Sequence, residues 1–238
     1  MKYITILVDG MADYPMEELG GKTPLEAAKI PVINSLAAEG EVGMVKTVPE
    51  GMSPGSDVAN LSLMGYEPEI YHTGRSPLEA ASMGVELSDS DITFRCNLVT
   101  LQGNGSFETR TMLDHSAGEI SNEESHELIK MINRELGDEE LRFYPGVSYR
   151  HLLVWAQGPW EYDFTPPHDI LGRGIGEYLP GGPHGARFLD MTKRSVELLE
   201  DHRINRERTA RGLNPANSIW IWGRVKNLNS PNSANAMA

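Results

Sequence analysis

The sequence has little of several features that would mark particular classes of protein. Its 238 residues include one cysteine, so an internal disulfide framework is excluded and a reducing cytoplasm suits the chain. No apolar run approaches the roughly 20 residues that cross a bilayer. The N-terminus also lacks the basic region that opens a secretory signal peptide. These absences predict a cytoplasmic protein with no membrane partner.

Basic residues are also scarce relative to acidic ones. Lys and Arg total 21 and Asp and Glu total 34, which gives a formal net charge of −13. This charge argues against nucleic acid as a partner. It would also repel an anionic substrate, so a phosphate-binding site here needs local cations from arginine or a metal ion. The hydrophobic content of 39% is enough for the core of one large or two small domains.

The first apolar run is Tyr3–Val8, which ends in Asp9 and Gly10. An unbroken run of apolar and β-branched residues is typical of a strand buried on both faces of a parallel sheet. The run therefore predicts such a strand, with Asp9 at the carboxyl edge of the sheet. Open α/β sheets bind their ligands at this edge.

A second short stretch, residues 54–60, places Ser56 after a Pro-Gly turn and before a helical pattern. We interpret Ser56 as a nucleophile that shares one metal ion with Asp9, because a serine hydroxyl needs a base, a charge or a metal to react. Backbone N–H groups at the start of the helix would favour a phosphate. The alternative is structural: Ser56 caps a helix and Asp9 ends a strand.

The remaining pattern predicts an α/β unit followed by an inserted α+β unit. Helices are predicted at 23–28 and 31–38, with a second strand at 42–48. Alternating residues from Ile92 to Leu101 predict a strand. Ser121 and Glu124 form a capping-box pattern for a helix over 123–136 that ends at Gly137, and Ser218–Gly223 looks like a strand rejoining the first sheet. The predicted divisions are a core at 1–90 and 200–226, a lid domain with its linker at 91–199, and a flexible tail at 227–238.

Many ordered segments resemble the archaeal-type 2,3-bisphosphoglycerate-independent phosphoglycerate mutases of the alkaline phosphatase superfamily. The segments are Ile6–Asp13, Gly20–Leu25, Pro54–Ser62, Gly74–Gly84, Phe94–Thr100, Tyr149–Leu153, Pro167–Asp169, Arg211–Asn217 and Ile219–Gly223. The resemblance implies an α/β fold, with an alkaline-phosphatase-like core sheet and an inserted α+β lid domain.

The resemblance also implies a reaction. Ser56 would take the phosphoryl group of 3-phosphoglycerate and return it to the 2-hydroxyl, which makes the protein an isomerase of glycolysis. Two divalent ions, manganese or zinc with magnesium as a further candidate, would assist, and no 2,3-bisphosphoglycerate would be needed. Asp9 and Ser56 are the metal ligands that it implies in this chain.

The implied partner is a small phosphorylated three-carbon acid, and arginine suits its carboxylate and phosphate because guanidinium binds both in a bidentate way. The predicted substrate-binding residues are Arg75, Arg95, Asn97, Arg150, His168 and Asp169. Arg150 has an alternative role on the solvent face of a strand, and His151 reads as a packed histidine. Four arginines between 203 and 211 are either a phosphate patch or a solvated hinge.

The sequence departs from the family in one respect. Family members continue beyond the Trp222–Gly223 strand and carry their remaining metal ligands there, so we expect a truncated chain with an incomplete core sheet and little or no mutase activity. An exposed sheet edge also predicts poor solubility or a homo-oligomer. The alternative functions are a homoserine-kinase-like phosphotransferase, a phosphohydrolase, or an inactive fragment that binds metabolites.

Overall fold

The computed structural model describes residues 4–8, 11–52, 54–72, 74–159 and 161–226, with only the backbone of Arg75, Arg224 and Lys226. The chain divides into two compact units, and the first ends at His72. Asp9 and the predicted tail at 227–238 lie outside the described residues.

The first unit is built from short helices. They are a 3-10 turn at Glu17–Leu19 and α-helices α1 (Pro24–Ala27), α2 (Pro31–Glu39), α3 (Ser56–Leu63) and α4 (Pro68–Tyr71). Thr23 and Glu26 form a capping box at the start of α1, and proline begins three of the four α-helices, where its missing N–H costs nothing. The predicted helices at 23–28 and 31–38 are confirmed.

The predicted strands of the first unit are wrong for the described residues. Residues 4–8 and 42–48 form no strand, and Ile4 and Ile6 are 86% and 82% exposed. A strand needs hydrogen-bonded neighbouring strands, and no described residue pairs with either segment in a strand ladder. An apolar run favours a strand, but it does not form one here because no neighbouring strand pairs with it among the described residues. The alkaline-phosphatase-like core sheet stays a prediction.

The second unit consists of an antiparallel sheet with helices packed against it. Its elements are α5 (Arg75–Ser82), β1 (Ile92–Gln102), β2 (Thr111–Asp114), α6 (Asn122–Leu136), β3 (Leu141–Val147), β4 (Arg150–Trp155), α7 (Gly185–Leu199), α8 (Arg203–Ala210) and β5 (Ser218–Lys226). Among the described residues the sheet runs β2-β1-β4-β3, and β5 also pairs with β1. The predicted α+β character of this part is confirmed.

β1 is the central strand, and its side chains alternate between two packed faces. Phe94, Cys96 and Leu98 are fully buried on one face, in the main core. The helices supply apolar residues to the same core, namely Leu128, Ile129, Ile132 and Leu136 from α6 and Phe188, Met191 and Leu199 from α7. The strand prediction at Ile92–Leu101 is therefore confirmed.

The position of β5 corrects a prediction. Residues 218–223 were expected to rejoin the sheet of the first ninety residues, but β5 pairs antiparallel with β1 from Ile92 to Val99. Ile219 and Ile221 of β5 and Ile204 of α8 lie in the main core of the second unit. The apolar run was correctly identified as a strand, but its partner depends on contacts distant in sequence.

The two long helices of the second unit, α6 and α7, have 15 residues each. The Ser121 side chain caps α6 by accepting the Glu124 N–H, and the helix ends at Gly137. Both ends agree with the prediction from sequence. Among the parts of the chain that the structure describes, no helix is long and apolar enough to cross a membrane.

Limited proteolysis of the full chain tests whether the first unit is less protected from cleavage than the second. We expect early cleavage before His72, because large apolar side chains there are exposed, whereas the buried strands of the second unit should resist. Mass spectrometry of the early fragments identifies the cut sites. Early cuts inside β1, β4 or α6 would contradict the prediction.

Candidate functional site

Most of the predicted substrate-binding residues that the structure describes lie around one face of β1. Arg95 and Asn97 share this face, opposite the apolar side chains that enter the main core. In the sheet register, Asn97 is opposite Arg150 of β4 and Trp220 of β5, while Arg95 is opposite Trp222. Cross-strand neighbours point to the same side of a sheet, so the register brings these residues together.

Trp222 connects three of the predicted residues. The Arg95 guanidinium carbon lies 4.4 Å from the centroid of the indole ring, which is a cation–π contact. The ring of His168, in the 3-10 turn Pro167–Ile170, lies 5.2 Å away in an edge-on arrangement. The indole Nε1 donates a hydrogen bond of 3.0 Å to Asn97 Oδ1.

Arg95 is held in place by its surroundings. Its Nη2 lies 3.1 Å from Glu79 Oε1, and its side-chain carbons lie 3.5 to 4.0 Å from the position of a Cβ on Gly223. Gly223 has a φ of 63°, at an irregularity where β5 shifts register against β1. A side chain is disfavoured in this conformation, which explains the glycine. The carboxylate of Glu79 partly neutralises Arg95, so less of its charge remains for a substrate.

His115 lies in the loop that follows β2, close to the same residues. Its ring centroid is 6.2 Å from that of His168 and 5.6 Å from that of Tyr149. The His115 carbonyl accepts a hydrogen bond of 3.0 Å from Asn97 Nδ2. Two histidines and an indole therefore form a connected group, which we call the His-Trp cluster (His115, His168 and Trp222).

The loop that carries His115 contains consecutive left-handed residues, Ala117, Gly118 and Glu119, with φ of 48°, 65° and 52°. Non-glycine residues adopt this conformation at a cost. Arg208, 3% exposed, stabilises it, because its Nη2 donates to Ala117 O at 2.5 Å. The Arg208 side chain also donates to Asn214 O and forms an ion pair with Glu124.

Asp114 anchors the start of this loop. Burial raises the pKa of its carboxyl, but hydrogen bonds from Asn214, Ser116 and Gly118 outweigh that effect and hold the pKa below its usual range. Asp114 therefore stays ionised near neutral pH and keeps accepting from the loop.

The arginine cluster of residues 203–211 is not a free phosphate patch. Arg203 pairs with Glu127 and Glu207, Arg211 pairs with Glu124, and Arg206 donates to the Asp201 carbonyl. Arg208 is buried. These contacts pair the arginine charges within the second unit, which argues against a free phosphate patch. The hinge interpretation stays a prediction.

His151 is a packed histidine, as predicted. It is 1% exposed, and its Nδ1 accepts the Gly146 N–H at 3.0 Å. Burial, with a smaller contribution from His126, lowers the pKa of His151 to about 3. Protonation of Nδ1 would also break the bond from Gly146, so His151 is a neutral structural residue.

The remaining predicted substrate residues are placed unevenly. Arg150 is exposed at the start of β4, 5.5 Å from the Tyr149 ring centroid. His168 and Asp169 are also exposed, with 3.7 Å between His168 Nε2 and Asp169 Oδ1. Arg75 is the first residue of α5, and the structure describes only its backbone. Arg150, His168 and Asp169 are therefore accessible to a ligand, whereas Arg95 and Asn97 are nearly buried.

Ser56 lies in the first unit, as the first residue of α3. Gly55 occupies the N-cap position, so the alternative in which Ser56 caps this helix is wrong. The residue is exposed, and the first N–H groups of a helix favour a nearby anion. The neighbouring Asp57 is bound to His72, with 2.5 Å between Oδ2 and Nε2.

The described residues do not supply a metal site. Among them, no group of three or more His, Cys, Asp or Glu side chains is placed to hold an ion, although catalytic zinc sites have about three protein ligands. Asp9, the other predicted ligand, lies outside the described residues. The two-metal centre stays a prediction.

Comparison with known proteins decides the family. The profile of the 2,3-bisphosphoglycerate-independent phosphoglycerate mutases matches residues 37–205, well over half of the chain. The chain belongs to this family. A relative with that name from Methanosarcina barkeri is 53% identical over 94% of this chain and 55% of its own length. Another, from Methanothermobacter thermautotrophicus, is 46% identical over 94% of this chain and 54% of its own.

A solved structure shares the fold of this chain. A protein from Pyrococcus horikoshii is 28% identical and has a TM-score of 0.64, over 96% of this chain and 52% of that one. The chain thus spans about half the length of the curated relatives and of the solved structure that it matches. The mutase resemblance that we drew from sequence motifs is confirmed.

No sequence pattern assigned Trp222 to the site. Trp220 and Trp222 were interpreted as part of a strand, and no motif marked their side chains as functional. The alternation of the strand was the available signal, because it places Trp220 and Trp222 on one face together. His115 was not among the predicted site residues either, because a lone histidine in a loop has no pattern to identify its partners.

The low pKa of His151 predicts how stability depends on pH. The unfolded chain binds a proton at His151 near its ordinary pKa of about 6.5, whereas the folded chain does so only near 3, so stability falls as pH falls through this window. Between about pH 7 and about pH 5.5, urea unfolding should show a loss of roughly 1 kcal/mol from this residue. His151→Gln, which keeps an acceptor for Gly146, is the comparison, and an equal loss in both proteins would contradict the assignment.

Proposed function

We propose that this chain is part of a phosphoglycerate mutase that interconverts 3-phosphoglycerate and 2-phosphoglycerate through a phosphoserine at Ser56. The observation that carries the proposal is the exposed Ser56 at the first position of α3, in a chain of the mutase family. The family name means that no 2,3-bisphosphoglycerate is required, and the first N–H groups of α3 favour the phosphate.

The proposed reaction has two transfers. The Ser56 oxygen attacks phosphorus, the bond from phosphorus to the 3-oxygen breaks, and glycerate takes up the proton that the serine loses. The 2-hydroxyl of the bound glycerate then attacks the phosphoserine, and the proton returns to Ser56. The transfers exchange one ester for another, so no water or other co-reactant is consumed.

The residues of the second unit are proposed to bind the substrate. Arg150 and His168 are both exposed. The guanidinium of Arg150 and the ring N–H of His168 can donate hydrogen bonds to a carboxylate or phosphate. Arg95 contributes positive charge that Glu79 reduces, while Arg75 and Asp169 stay predictions. The proposed lid role of residues 91–199 rests on the family resemblance. The predicted boundaries at 90/91 and 199/200 rest on the change of pattern along the sequence.

The surrounding assignments are also proposals. Two divalent metal ions, manganese or zinc in kind with magnesium as a further candidate, belong to the predicted mechanism of the whole enzyme. The described residues do not hold them, so no step above depends on a metal. A role in glycolysis, a cytoplasmic location and a homo-oligomeric state likewise rest on the sequence analysis.

Binding of 3-phosphoglycerate to the full chain tests the substrate assignment. Calorimetry should detect binding, and Arg150→Met should weaken it about tenfold or more, because a hydrogen bond to a charged group contributes about 1.5–3 kcal/mol. Arg134→Met removes an arginine that is exposed on α6 and pairs with its neighbour Glu135, so it is the matched control. Equal weakening in both variants, or no binding by the wild type, would contradict the proposal.

The nucleophile is tested by covalent labelling. After incubation with 3-phosphoglycerate and manganese, we expect a phosphoryl group on Ser56, detected by peptide mass spectrometry, and its loss in Ser56→Ala. Ser62→Ala is the control, because Ser62 lies in the same helix and its Oγ binds the Thr47 carbonyl. A label that persists in Ser56→Ala would refute the assignment.

Product identity separates the alternatives in the same incubation. Release of 2-phosphoglycerate indicates the mutase, release of inorganic phosphate indicates a phosphohydrolase, and phosphohomoserine formed with added homoserine indicates the phosphotransferase. We expect little turnover from this chain, with any product being 2-phosphoglycerate.

A further inference from the structure

Asn97 is placed at the centre of the candidate site but is closed to a ligand. It lies on the same face of β1 as Arg95 and is 2% exposed. Its neighbours across the sheet are Arg150 and Trp220. An amide buried at this point needs partners for its oxygen and nitrogen, since an unmade hydrogen bond there is costly.

The two partners of Asn97 determine how its amide is oriented. The Trp222 indole Nε1 can only donate, and it donates to Asn97 Oδ1 at 3.0 Å. The His115 carbonyl can only accept, and it accepts from Asn97 Nδ2 at 3.0 Å. Exchanging the amide oxygen and nitrogen would break both bonds, so the orientation is unambiguous.

These two bonds join separate parts of the His-Trp cluster. Trp222 belongs to β5 and contacts Arg95 and His168 through its ring. His115 belongs to the loop after β2, and its ring contacts that of His168. The buried amide of Asn97 thus connects Trp222, against which His168 packs, to the loop that carries His115.

We propose that Asn97 is a positioning residue, which holds Trp222 and the His115 loop in register so that His115 and His168 keep their relative placement. It does not bind substrate itself, because it is buried and both of its polar atoms are engaged within the protein. This revises the role that the sequence analysis assigned to Asn97. The inference rests on the proposed function only in treating the cluster as part of a substrate site.

Nuclear magnetic resonance of the full chain provides a test that does not require turnover. The Trp222 indole signal is assigned with Trp222→Phe, and the histidine ring signals are followed in the same samples. In Asn97→Leu, which removes both bonds, we expect the Trp222 indole N–H to exchange roughly fivefold faster, the ratio that loss of one hydrogen bond predicts. The His115 and His168 ring signals should both shift.

Asn97→Asp separates the two bonds. It keeps an acceptor for the Trp222 indole but replaces the donor to His115 with an oxygen, so the His115 signals should shift while the Trp222 indole signal stays nearly in place. Asn97→Asp also tests the proposal if Asn97→Leu does not fold. A Trp222 response as large as that of His115 in Asn97→Asp would overturn the proposed division of roles.

Asn217→Leu is the matched control. Asn217 is also buried, directly before β5, and its Oδ1 and Nδ2 bind the N–H and carbonyl of Leu101, both at 2.8 Å. Its loss should destabilise the unit to a similar degree without moving the His-Trp cluster signals. Equal changes in Asn217→Leu and Asn97→Leu would reduce Asn97 to a structural role and overturn the inference.

Adding 3-phosphoglycerate to the same samples distinguishes this inference from the proposed function. Substrate-dependent shifts of His168 in the wild type support the proposed function, and their absence counts against it. The response of Trp222 and His115 to the Asn97 variants without ligand decides the positioning role independently.

Discussion

The second unit depends on the alternation of side chains along β1, which lies between β4 and β5 over much of its length. One set, Phe94, Cys96 and Leu98, joins the main core beneath α6 and α7. The other set contains Arg95 and Asn97, polar groups that are buried on the opposite face. A strand paired on both edges cannot rotate these residues away, so the same packing that builds the core also places the polar face.

Burial of polar groups on that face has a consequence for the site. Each group needs a partner, and the partners come from segments distant in sequence, with Glu79 for Arg95 and Trp222 for Asn97. Satisfying the amide of Asn97 brings β5 and the His115 loop together, and Arg208 supports that loop from α8. Stability and site geometry are therefore provided by one set of hydrogen bonds, whereas exposed Arg150 and His168 remain available to a ligand.

Local signals in the sequence were reliable where the physics is local. The cap at Ser121 and the end of α6 at Gly137 were predicted, because a serine side chain reaches a backbone N–H three residues away. The period of two along residues 92–101 identified β1, because successive side chains of a strand point to opposite faces of the sheet. Pairing was harder, since β5 was correctly identified as a strand but joins β1 rather than the first ninety residues. Residues 4–8 show the converse, an apolar run without a strand partner among the described residues.

The sequence by itself determined the family, the amphipathic helices, the central strand and the identity of the nucleophile candidate, because these follow from motifs and from periods of neighbouring residues. Only the tertiary structure decided that Trp222 and His115 contact His168, and that Asn97 is bound by Trp222 and His115. It also decided that the arginines of residues 203–211 are paired with carboxylates or backbone carbonyls. Those contacts join residues up to 125 positions apart. They depend on strand register and loop conformation, which no local pattern encodes.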